Sequence, residues 1–222
     1  MYTNESILAG PHQNNINDII KYIKKANIYI TVEGDVKDFL GINIEKNRDG
    51  TTTLSQQNLI DHILKDIILD EENTATKQIR DISSKILTRH TKSEEFDRFC
   101  YYRKVIEKSN YLKKGSISDI SYIVHQCAII FTSPKREHED SVKNIISYLR
   151  GTRIKGTILD PDKETILEVF CDAYFAGNWD HKETDDTYTA KSRHGYYMKY
   201  AGMLVTWKLQ LQTEIELSIT ES

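Results

Sequence analysis

Few residues in this chain are placed to do chemistry, and one of them stands where an acid is costly. The stretch Thr165-Ile166-Leu167-Glu168-Val169-Phe170-Cys171-Asp172-Ala173-Tyr174-Phe175-Ala176-Gly177 is a β-prone apolar run that carries Asp172 and then breaks at a glycine. A carboxylate inside a half-buried strand costs free energy unless something pairs with it, and a divalent cation is one such partner. A two-cation centre needs several acids around it. Asp180, Asp185 and Asp186 follow in a polar stretch; as loop acids they are expected to be solvated, which leaves Asp172 as the candidate ligand.

A second constellation is cationic. Arg103, Lys104, Lys108, Lys113 and Lys114 recur along one expected helix, with Tyr101, Tyr102 and Tyr111 between them. Basic groups interleaved with aromatic rings can follow a phosphate backbone. The plainer reading is a solvated helix face, and Glu94, Glu95, Asp97, Glu107 and Asp119 offset the charge enough to favour it for the isolated chain. Lys143, Arg150, Arg153 and Lys155 divide between the same two readings. His62, His125, Cys127 and His138 read as helix-face, core, boundary or helix-start residues rather than ligands.

Holding Asp172 in place takes a sheet. Residues 165–173, 194–200 and 203–207 are strand-like, with Ala201-Gly202 as a hairpin turn, so three antiparallel strands are expected with Asp172 on the first. Ser218-Ile219-Thr220-Glu221 then spells a capping box at the start of a helix. Earlier, residues 1–11 read as a strand pair or strand ending closed by Gly10-Pro11, and 15–26 as a helix capped by Asn14 or Asn15. Strands are expected over 27–33, 36–46 and 51–54, joined by Gly34-Asp35 and Asp49-Gly50. Ser55 caps a helix running to about Asp70, with Leu59, Ile60, Ile63, Leu64 and Ile67 on its buried face. Residues 71–98 are polar and charged and read as a connection; helices follow over 99–112, 117–131 and 137–149.

The 222 residues can hold one large or two small domains and bury a sizeable core. Thirty basic against 33 acidic residues give a net charge of −3, so no overall cationic field draws nucleic acid and any such contact is local. Three cysteines, without metal-ligand spacing, read as reduced thiols inside a cell, cytoplasmic or nuclear. No apolar run is long enough to span a bilayer.

Cys171-Asp172-Ala173-Tyr174-Phe175-Ala176-Gly177-Asn178, Val205-Thr206-Trp207-Lys208 with Gln212-Thr213-Glu214, and Leu217-Ser218-Ile219-Thr220-Glu221-Ser222 resemble the ribonuclease H domain of copia-type LTR retrotransposon Pol polyproteins. In that family the first metal-binding aspartate stands where Asp172 does, and the second acid would align just after Ser222, next to Glu221. Tyr2-Thr3-Asn4-Glu5 resembles the polymerase Tyr-x-Asp-Asp hairpin, with Asn4 and Glu5 in the places of the aspartate pair; an asparagine oxygen is neutral and holds divalent cations weakly. Gly34-Asp35-Val36-Lys37-Asp38-Phe39-Leu40-Gly41 is similar to the family's palm-edge segment. Tyr102 to Ile106, Asn110 to Leu112, Asp119-Ile120, Pro134, His138 and Tyr148 to Thr152 follow its thumb pattern in order. Glu107 and Ser118 depart from that pattern, and a glutamate in place of glycine is expected to disturb close helix packing.

The resemblance implies an α+β fold: a reverse-transcriptase palm edge over 1–72, a connection over 73–98, a helical thumb over 99–157, and over 158–222 the truncated start of a ribonuclease H-like mixed sheet. It implies a role in RNA-directed DNA synthesis and in RNA cleavage within RNA/DNA hybrids. The family's cofactor is a pair of Mg2+ ions; its partners are hybrid or primer-template and the remainder of the Pol polyprotein, with no membrane, inside a virus-like particle. Asp172 would be a metal ligand in a completed domain, and Arg103, Lys104, Lys113 and Lys114 would meet nucleic acid. With one placed acid and a replaced aspartate pair, this chain is expected to be catalytically inactive. A retained nucleic-acid-binding module and a pseudogene product without function are the alternatives.

Overall fold

The computed structural model describes residues 5–65, 87–89, 92–96, 99–162, 164–179, 181 and 186–215. Its elements run α1 (Gln13–Lys25), β1 (Asp38–Phe39), β2 (Ile42–Lys46), β3 (Thr52–Ser55), α2 (Gln57–Lys65), α3 (Phe99–Gly115), α4 (Ser121–Ile129), α5 (Glu139–Gly151), β4 (Thr157–Leu159), β5 (Leu167–Tyr174), β6 (Arg193–Tyr200) and β7 (Met203–Leu211). The architecture is mixed α+β: a helical bundle and two antiparallel sheets, ordered β1-β2-β3-β4 and β5-β6-β7.

Apolar spacing along the helices explains the bundle. Ile60 and Ile63 of α2, Tyr102, Val105, Ile106 and Leu112 of α3, Val124 and Cys127 of α4, and Val142, Ile145, Ile146 and Leu149 of α5 recur every three or four residues and merge into one core. The Tyr102 hydroxyl donates to the Cys127 carbonyl at 3.0 Å, so the buried phenol keeps its hydrogen bond. Glu107 does not disturb this packing. It faces solvent and pairs with Arg103 at 3.7 Å, one turn away, while its neighbour Ile106 is wholly buried.

The first half of the chain is less regular than its sequence suggests. Residues 5–11 and 27–33 form no strand, and the expected strand over 36–46 is broken by a two-residue turn at Leu40-Gly41, both with positive φ. That turn pairs β1 with β2, Phe39 opposite Ile42. His12, not an asparagine, precedes α1, and its side chain makes no cap hydrogen bond. β4 was not anticipated. It pairs with β3, Thr53 opposite Ile158, so the chain returns to the first sheet after the bundle and crosses the expected boundary at 157. Three short residues are too weak a local signal; only the long-range partner makes them a strand.

Close backbone approach fixes two contacts around α3. A Cβ at Gly156 would lie 2.1 Å from the Leu54 carbonyl, so only glycine lets β4 start beside β3. A Cβ at Gly115 would meet Gln56 Oε1 at 2.3 Å; that buried amide accepts a hydrogen bond from Ser116 Oγ at 3.0 Å.

Candidate functional site

Asp172 lies within β5, the first of three antiparallel strands, as the strand-like runs and the Ala201-Gly202 turn imply. Its cross-strand neighbour is Gly195. A Cβ there would come 3.2 Å from Leu209 Cδ1, so the glycine lets β7 pack and leaves the carboxylate uncovered on its flank. Two residues away on the same face, Phe170 stacks on Tyr197 across the strands, with centroids 4.6 Å apart and planes 11° apart. Lys199 reaches over Phe170.

Burial is where sequence and structure part. The apolar run was expected to be half-buried, which would make an unpaired Asp172 costly. All eight residues of β5 are exposed, Asp172 among them. The strand is held by backbone hydrogen bonds to β6 rather than by packing, so its carboxylate meets water and carries no desolvation penalty.

The other acids do not gather around it. Asp180 and Asp185 lie outside the described residues, as do Asn4, Glu221 and the expected capping box. Asp186, expected to be solvated, is buried at 3% exposure. Its carboxylate accepts from the backbone N–H groups of Tyr188 at 3.1 Å and Arg89 at 3.3 Å, and its carbonyl accepts from Thr189 Oγ1 at 2.8 Å. Those bonds close a turn and engage both carboxylate oxygens within the protein. Glu5 is tied elsewhere, accepting from the Leu40 N–H at 2.9 Å. Among the described residues no group of three or more His, Cys, Asp or Glu side chains could hold a metal ion. A two-cation centre does not fit these residues alone.

The basic residues of α3 also separate. At 100° per residue, Arg103, Glu107 and Lys114 fall within about 40° of one another, while Lys113 lies about 180° from Lys104. Arg103, Lys104 and Lys114 are exposed. Arg103 sits over the Phe131 ring at 4.7 Å. Lys113 is half-buried, and burial followed by its neighbour Lys114 holds its ammonium below the ordinary value. Its carbonyl accepts from the Trp207 indole N–H at 2.7 Å, which docks β7 against the end of α3.

That docking is one of several polar contacts between bundle and second sheet that the sequence did not signal. Arg89 donates to the Ile129 carbonyl through Nε at 3.2 Å and Nη2 at 2.9 Å, and its guanidinium lies 3.5 Å from the Tyr188 ring centroid. His138, fully buried, is more than a helix-start residue. Its Nδ1 accepts from the Lys135 N–H at 2.9 Å, so Nε2 carries the proton toward the Thr88 carbonyl at 3.1 Å. It thereby holds the residue next to Arg89. Apart from Lys135, none of these partners is close in sequence, so no local pattern could have revealed them.

Three comparisons with known proteins bear on what this arrangement serves. A putative transposon Ty5-1 protein of Saccharomyces cerevisiae is 26% identical over 208 residues, 93% of this chain and 63% of that protein. The retrovirus-related Pol polyprotein from transposon TNT 1-94 of Nicotiana tabacum is 24% identical over 193 residues, 85% of this chain and 14% of the polyprotein. An uncharacterized mitochondrial protein of Arabidopsis thaliana is 24% identical over 223 residues, spanning 100% of this chain and 86% of its own length. No family model and no solved structure matches the chain. The chain thus spans less than two thirds of each of the first two relatives.

Proposed function

The chain is a homologue of Ty/copia-type retrotransposon Pol polyproteins over most of its length, and we propose that it corresponds to the part of such a polyprotein that joins the end of the reverse transcriptase to the beginning of the ribonuclease H domain. On this reading the first sheet is the palm edge, the bundle is the thumb, and β5-β6-β7 is the opening meander of a ribonuclease H-like sheet. The observation that carries it is the placement of Asp172: an exposed acid within the first strand, opposite a glycine, with none of the described residues burying it. A catalytic acid must be reachable by cation and substrate; an acid placed for stability would have a partner.

The parent activities are RNA-directed DNA synthesis and cleavage of RNA in RNA/DNA hybrids, both served by pairs of Mg2+ ions. Among the described residues one acid is placed for that task, and on this reading the chain is catalytically inactive by itself. Asp172 is the position that would take up a cation if further acids were supplied beside it.

A second reading is supported by α3, where Arg103, Lys104 and Lys114 are exposed: a nucleic-acid-binding module that works without chemistry. One experiment addresses both. Titrating the chain into a fluorescent RNA/DNA hybrid of about 16 base pairs with Mg2+ present should give no cleavage. Binding that weakens steeply between 50 and 200 mM salt would support the second reading. Hydrolysis abolished by Asp172→Asn would overturn the assignment of inactivity.

A further inference from the structure

Arg193 begins β6, opposite Tyr174 and Leu211, on the sheet face that α4 covers, and is 5% exposed. Its guanidinium carbon lies 4.6 Å from the ring centroid of Tyr122 on α4. Nη1 and Nη2 are both buried without a hydrogen-bond partner. One turn along α4 from Tyr122, Nδ1 of His125 is buried and unpartnered as well. The charges that act on His125 are Arg193 and Lys113, both cationic. Unpartnered nitrogen groups on α4 and β6 therefore lie at this seam, the Lys113 charge acts on it from α3, and among the described residues no carboxylate is paired with them.

A buried guanidinium cannot relieve its cost by losing a proton, and a tyrosine ring offsets only part of it. Two free N–H groups on a planar fork match a pair of anionic oxygens. A tetrahedral anion can offer oxygens to groups on both α4 and β6, which a planar carboxylate does less readily. Lys113 is half-buried and its neighbour Lys114 exposed.

We propose that the seam between α4 and β6 binds a single phosphate group, held by Arg193 with Lys113 and His125 around it. The inference stands apart from the proposed function, since neither Asp172 nor the exposed face of α3 takes part. Free phosphate and a backbone phosphate of nucleic acid present the same chemistry to these donors.

The test follows the His125 ring signals by NMR, assigned with His125→Gln, in the whole chain at fixed ionic strength. Inorganic phosphate, replacing chloride from 0 to about 20 mM, is one ligand; a short RNA/DNA hybrid in chloride buffer is the other. The expected result is a saturable movement of the His125 signals with phosphate, and a melting midpoint raised by about 3 °C at ten times the dissociation constant. Arg193→Met should abolish both effects. If that variant does not fold, Lys113→Met should weaken phosphate by about fivefold. Movement with the hybrid as well would identify a backbone phosphate as a ligand; movement with inorganic phosphate alone would identify the free anion. No movement with either ligand, or equal movement in wild type and variant, would overturn the proposal.

Discussion

The helical bundle and the second sheet use apolar residues in opposite ways. In the bundle Ile60, Ile63, Ile106, Leu112 and Leu149 are wholly buried. In the second sheet Leu167, Val169, Phe170, Tyr174, Tyr197, Tyr200 and Val205 are all exposed, and Ala201 is the buried apolar residue among those described. A strand can thus be apolar in sequence and well paired in its ladder without contributing to a core. The bundle supplies the stability. The second sheet is a displayed surface tied to it by polar contacts through Arg89, Trp207 and Arg193.

Substitutions should separate the two regions, beginning with the core. Ile106→Ala in α3 should cost about 2–5 kcal/mol by denaturant unfolding, because the buried site can collapse only partly. The same kind of truncation in β5, Val169→Ala, should stay within about 0.5 kcal/mol. Equal costs would mean that β5 is covered.

Acidity should act through the seam. Burial, then Arg193, then Lys113 lower His125 from 6.5 to about 4 in the folded chain. Above pH 6.5 the group is neutral in both states and has no effect. As the pH falls from 6.5 toward 4 the unfolded chain takes up a proton that the folded chain refuses, so stability declines by up to about 3 kcal/mol. His125→Gln should flatten that decline in phosphate-free buffer; an unchanged pH profile would show that His125 is not held neutral.

Removing the ties should loosen the sheet without melting the bundle. Arg89→Ala should cost about 1.5–3 kcal/mol, since its charged hydrogen bonds to the Ile129 carbonyl go with its ring contact to Tyr188. Hydrogen exchange should show the loss in β6 and β7 before α5. Trp207→Phe keeps the ring but leaves the Lys113 carbonyl without its donor, a smaller effect of about 1 kcal/mol.

Much of the frame was legible from spacing. The three strands around Asp172, the turn at Ala201-Gly202 and the helices from Phe99 to Gly151 follow from local periodicity and turn chemistry, which depend on near neighbours. Exposure did not follow. Leu167 and Val169 have the composition of a buried strand, and whether anything covers them is settled by the rest of the molecule. The burial of Asp186 and Arg193 was hidden for the same reason, since their surroundings come from α4 and from the segment around Arg89, far away in the chain. β4 escaped notice because three residues acquire strand character only from pairing with Thr52 to Leu54.

The central claim is that Asp172 is displayed on an uncovered strand without companion acids among the described residues. Calorimetric titration with Mg2+ tests it most directly, comparing the chain with Asp172→Asn. Binding weaker than about 1 mM, the same in both proteins, is the predicted result for a lone solvated carboxylate. Tight binding that disappears in Asp172→Asn would contradict it, because other acids would then have to complete a cation site around β5.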